Sequence, residues 1–192
     1  MIQIYSPGFS VKENIEKQLF GIAKEHESMA SSNIDRSNVE KTREEMKHSM
    51  IAIAMCYTAL EALSNDLFNR LTNHDFDSDD YKSKFSKKEL TSRWNHLIGL
   101  AYQQEHHSHE IRSLPDRISR DLDELAYLRH QIIHYNPKPE SAETVRKFSD
   151  DSPVSPELEL FTSLEAKQSI QTVRELLETF EKITGYEVPK IE

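Results

Sequence analysis

The sequence predicts an all-α fold, a bundle of about five helices forming one domain over residues 1–192, a length suited to a single core. Apolar positions recur at helical spacing: Met46, Met50, Ile53, Tyr57, Leu60, Ser64, Leu67 and Leu71 keep one stripe on one face for about seven turns. Helix starts are marked by S/T-x-x-E capping boxes, in which a hydroxyl and a glutamate satisfy the first N–H groups. Strand-type alternation is confined to Ile2 to Tyr5, and no internal repeat is visible.

Taken in order, Ser10-Val-Lys-Glu13 opens a helix near 11–30. The long stripe predicts a second near 36–71. From Met50 to Leu63 this helix is apolar on nearly every side, which suits a central place in a bundle or one shared with a subunit interface. Glu61 is the exception, a carboxylate that reaches solvent or pairs with a base. Asn73 to Asp80 reads as a loop and lacks the glycine and closing glutamate that a calcium loop requires. Ser86-Lys-Lys-Glu89 predicts a helix over 86–105, followed by a loop over 105–113. Pro115 with Asp116 opens the next helix, because proline lacks an N–H that the first turn does not use. Asn136-Pro137 closes it. A long proline-containing loop over 136–156 leads to Thr162-Ser-Leu-Glu165, which opens a last helix over 163–184 that stops at Gly185.

Composition excludes several function classes. The four glycines, Gly8, Gly21, Gly99 and Gly185, are too scattered for a dinucleotide fingerprint or a P-loop. Cys56 is the single cysteine, so neither an intrachain disulfide nor a Cys-based zinc site is available, and a reducing cytoplasm is expected. No basic-then-apolar leader opens the chain, and its longest uncharged apolar run, Ser49 to Leu60, falls short of the roughly 20 residues a membrane helix needs. A soluble protein with no membrane partner is expected. A net charge of -9 argues against a broad phosphate-neutralising face, so no DNA partner is expected, while a small local site stays open. Lys82, Lys84, Lys87, Lys88 and Arg93 form the basic cluster, either a solvated helix start or a binding patch.

Two segments carry candidate chemistry. His106, His107 and His109 with Glu110 form a histidine-rich loop, solvated or able to hold a transition metal. The second is the helix before Pro137. Placed on a wheel at about 100° per residue, Ile118, Leu122, Leu125 and Ile132 share one stripe with Arg129 among them. A guanidinium there calls for an acceptor, such as a buried or interface ion pair. Asp123, Tyr127, His130 and His134 form a second, polar ridge. His134 lies in the last turn, where the negative end of the helix dipole favours an imidazolium. His130 and His134, at i and i+4, also suit a metal, but no H-E-x-x-H pattern supplies a general base. An exposed helix end, an RNA- or phosphate-handling site and a metal site are the three readings.

Arg129-His130-Gln-Ile-Ile-His134 resembles the R-x4-6-H motif of HEPN domains, and SMIAIAMCYTALEALSNDLFNRL is similar to that family's apolar second helix. The resemblance implies a helical bundle that forms a two-fold dimer with its motifs facing each other. In many members it implies a metal-independent endoribonuclease of toxin, RNA-processing or antiphage systems. Arg129 and His134 match the motif positions, His130 the polar position between them, and Asp123 an acidic position of the kinase-linked RNase branch. Tyr127 and Tyr135 beside the motif are candidate substrate-binding residues. The nucleotidyltransferase-paired toxins have H-x-Y, whereas Asn136 stands here where that tyrosine would be. No metal and no cofactor is expected; the expected partners are RNA at a local site, a second copy of the chain, and an antitoxin or regulatory protein. The alternative is a non-catalytic HEPN-like interaction or nucleotide-binding module that regulates a partner. Arg129 with His134 favours the enzyme, and the charge of -9 favours the module or a narrow RNA substrate.

Overall fold

A computed structural model describes residues 15–35, 37–72, 85–134, 161–188 and 190–191. These residues form five helices and no strand: α1 (Ile15–Ser32), α2 (Val39–Thr72), α3 (Leu90–His106), α4 (Asp116–His134) and α5 (Ser163–Thr184). The all-α bundle is therefore as the sequence predicts. The Ser10 box, the Ile2 to Tyr5 segment, the loops over 73–80 and 136–156, Lys82, Lys84 and Tyr135 lie outside the described residues.

α2 is the axis of the bundle, in contact with each of the other four helices. No residue from Met50 to Leu63 is exposed, which accounts for the apolar circumference of that stretch. Ile53, Leu60, Ser64, Leu67 and Leu71 of the stripe are buried, and Met46, Met50 and Tyr57 are partly buried. Large aromatic side chains fill the space between helices. Trp94 of α3 meets Phe180 of α5 edge to face at 5.7 Å, and Phe68 stacks on Phe85 at 4.3 Å. Cys56 is buried in this core, and its burial pushes the thiol far up, so it stays protonated.

Helix ends follow local chemistry. Asn38 Oδ1 accepts from the N–H groups of Glu40 and Lys41 at 3.0 and 3.2 Å, which starts α2 at Val39. The Pro115 carbonyl accepts from Ser119 N at 3.0 Å to begin α4. Thr162 caps α5 through Glu165 N at 3.3 Å, and the buried Glu45 of α2 brings Oε1 to Ser163 N at 3.0 Å, a carboxylate at a helix N-terminus. Gly185, with φ 73°, ends α5 by donating to Glu181 O at 2.8 Å.

The helix expected over 86–105 begins at Leu90 instead, and its N-cap, Glu89, makes no side-chain capping bond. A helix starting at Ser86 would offer the carbonyls of Ser86 and Lys88 to N–H groups four residues on. Arg93 takes both: Nε donates to Lys88 O at 2.9 Å and Nη2 donates to Ser86 O. The turn is thereby held outside the helix, with Lys88 N bonded back to Phe85 O at 3.0 Å. Among the described residues no helix is long and apolar enough to cross a membrane.

Candidate functional site

α4 presents two faces, as its wheel requires. Ile118, Leu122, Leu125 and Leu128 are buried in the core, and Ile132 packs against it. Asp123, Tyr127, His130 and His134 are exposed along the other side, so the polar ridge exists. Its two histidines meet, with ring centroids 4.2 Å apart and planes tilted by 47°. Asp123 stands apart from them. It accepts from Thr91 Oγ1 of α3 at 2.6 Å, and its place seven residues before His130 puts it about 10.5 Å away along the helix axis.

Arg129 lies on the packing side and is partly buried, but the expected ion pair is not what holds it. Its guanidinium carbon sits over the ring of Tyr57 in α2, 5.0 Å from the centroid, and among the described residues it has no hydrogen-bond or ion-pair partner. Arg129 and His134 are separated by about 140° around the helix and about 7.5 Å along it. One protomer therefore brings His130 and His134 together and leaves Arg129 on a different face.

The surroundings of Tyr57 are charged on several sides. Burial, and then the negative charge of Glu61, push its phenol upward; the cations of Arg129 and Arg93 oppose this, and Glu89 adds to it. Glu61 pairs with Arg93, Oε1 to Nη1 at 3.2 Å. Of the two roles open to this carboxylate, pairing with a base is the one observed. Arg93 is 8% exposed, so its charge is taken up by interior contacts rather than added to a basic patch with Lys87 and Lys88. No motif in the sequence marks Tyr57 as a site residue. Its signal was its place on the α2 packing stripe, matched by a charged residue on the α4 stripe.

α3 runs to His106, so Glu105 and His106, expected in a loop over 105–113, are helical. His106 Nε2 lies 3.0 Å from Thr184 O, and its ring lies tilted against that of Tyr102, centroids 4.3 Å apart. His107 ends α3 in the left-handed region at φ 48°. Among the described residues no group of three or more His, Cys, Asp or Glu side chains is placed to hold a metal ion. A groove of about 630 Å³ lined by Tyr102, His106, Arg112 and Lys182 lies near the start of α4, about 28 Å from the His134 end. Between α1 and α2 lies a second histidine pair that no sequence spacing marks: His26 Nδ1 and His48 Nδ1 are 2.7 Å apart, with Glu44 Oε2 3.4 Å from His48 Nε2.

What these features define is a helical bundle with an imidazole pair at one helix end and, on the adjoining face, an arginine unpaired among the described residues. Comparison with protein-family models, with curated proteins and with solved structures gave no match to the chain.

Proposed function

We propose that the chain is a HEPN-type endoribonuclease that works without a metal as a two-fold dimer, with Arg129, His130 and His134 of both copies at the shared face. The observation that carries this reading is the state of Arg129: a partly buried guanidinium with no carboxylate partner among the described residues and its N–H groups left for an anion. Two further features support it. Arg129 and His134 do not converge within one protomer, so a site that uses both gains from a second copy. Ile133 and Tyr127, each 53% exposed beside the motif, leave apolar surface for that copy.

RNA brings its own nucleophile, so the side chains have little to supply. One imidazole takes the proton of the 2'-hydroxyl as its oxygen attacks phosphorus; the bond from phosphorus to the 5'-oxygen breaks, and a second imidazole protonates that oxygen. A guanidinium stabilises the phosphorane through fixed, paired donors. Since one ring starts neutral and the other protonated, the rate follows a bell-shaped pH curve. Asp123, tied to Thr91 and two turns from His130, is placed to orient α4 against α3 rather than to touch the scissile phosphate. The net charge of -9 favours either a narrow RNA substrate or a second reading, a non-catalytic module that engages a partner protein through the same face.

Incubating the purified chain with total RNA in EDTA, beside His134→Ala, tests the proposal. Cleavage by the wild type and its loss in the variant are expected. RNA that stays intact with both proteins points to the module, and cleavage by both moves the chemistry elsewhere.

A further inference from the structure

The seam between α2, α3 and α4 gathers two arginines, one tyrosine and Glu61 within a short distance. Glu61 follows Tyr57 by one helical turn on the same face of α2. A carboxylate there is the natural acceptor for either arginine. Arg93 has it, at 3.2 Å, and Arg93 is itself fixed by the carbonyls of Lys88 and Ser86, so its guanidinium cannot swing away. Among the described residues, Arg129 is left with the Tyr57 ring, 5.0 Å from the centroid. The two ways of holding an arginine differ in what they consume. An ion pair uses N–H donors, whereas a ring face attracts the cation through its quadrupole and leaves all five N–H groups free.

We propose that this seam sorts the two arginines: Arg93 withholds Glu61, and the Tyr57 ring holds Arg129 with its donors open to a phosphate group from outside the chain. Tyr57 and Arg93 are thus positioning residues for the anion-binding group, and the inference rests on the reading of Arg129 as the group that meets phosphate. Without Arg93, Glu61 loses its partner and becomes a competitor for Arg129. Without the ring, Arg129 swings into solvent and binds phosphate with no fixed geometry.

The test follows the Arg129 Nε–H resonance by NMR during titration with inorganic phosphate, and in parallel the initial rate of RNA cleavage in EDTA. Loss of a partly exposed cation–π contact is worth about tenfold, so Tyr57→Leu is expected to weaken the phosphate response and slow cleavage by about that factor, and Tyr57→Phe, which keeps the ring, to restore both. Arg93→Met is expected to quench the phosphate response, and Arg93→Met with Glu61→Gln to recover it, because the competitor is gone even though the Arg93 contacts are still missing. A merely structural role for Arg93 predicts that the double variant is no better than the single one. Should Arg93→Met fail to fold, the Tyr57 pair decides: equal phosphate responses in Tyr57→Leu and the wild type overturn the proposal. The expected phosphate pattern in a chain that cuts no RNA would end the ribonuclease reading and leave the sorting intact. Cleavage by a wild type whose Tyr57 and Arg93 variants behave like it would do the reverse.

Discussion

Replacing Arg129 with alanine separates catalysis from stability because of how the residue is held. The guanidinium has no ion-pair partner among the described residues, so its removal leaves no described carboxylate stranded. What is lost from the fold is one partly exposed cation–π contact, about 0.5–2 kcal/mol. For a chain of this length each 1 kcal/mol moves Tm by about 2–4 °C, so the variant stays folded at room temperature. Loss of a donor that stabilises transition-state charge costs about 10²- to 10³-fold in rate. Arg93→Met should instead lose stability together with the phosphate response. It strips three acceptors, Glu61 among them, of their donor, and a hydrogen bond to a charged group is worth about 1.5–3 kcal/mol. The assay pairs initial rates on RNA in EDTA with a thermal melt, and includes His106→Ala, His107→Ala and His109→Ala, which are expected to cut at the wild-type rate. A rate loss under about tenfold for Arg129→Ala, or one that tracks Tm, would show that Arg129 does not stabilise the transition state. So would equal losses in the loop variants.

Other expectations concern stability and assembly. Burial, and then the charge of His26, lower the proton affinity of His48 from its ordinary value of 6.5, with Lys47 acting in the same direction and Glu44 against it. The folded state then binds fewer protons than the unfolded one below that value, so stability is full above about pH 6.5 and falls on acidification. The urea midpoint should drop between about pH 7.5 and pH 5.5, and His48→Gln should flatten the drop; a flat wild-type profile contradicts this. Gly21 and Gly99 sit inside α1 and α3 with nothing within 4 Å of a built Cβ. Gly21→Ala and Gly99→Ala should each stabilise by about 0.8–1 kcal/mol, visible as a higher Tm, and a lower Tm would show a clash. Light scattering at micromolar concentration should give twice the 22.4 kDa of one chain, whereas the monomer mass counts against the shared site.

Local chemistry made much of the fold legible. Thr162, Pro115 and Gly185 mark helix ends because each satisfies or removes a backbone group within four residues, and such contacts are written into short spacings. The wheel of α4 separated buried from exposed positions for the same reason. The Ser86 box misled because a residue further along, Arg93, captured the carbonyls that the helix start needed. The partners of Arg129, Glu61 and Asp123 lie on other helices, at Tyr57, Arg93 and Thr91, and no periodicity encodes which side chains meet across a bundle. The pairing of His26 with His48 was hidden for that reason too.

The most direct test of a metal-independent mechanism built on Arg129 and His134 is a single 2'-deoxy substitution at the mapped cut site of an RNA substrate, with products analysed in EDTA. The all-ribose strand is expected to yield a 2',3'-cyclic phosphate and a 5'-hydroxyl, and the 2'-deoxy strand to stay intact at that position, because the nucleophile is the hydroxyl removed. Cleavage of the 2'-deoxy strand, or activity that vanishes in EDTA and returns with zinc or magnesium, would contradict it, since a metal-activated water attacks phosphorus without that hydroxyl.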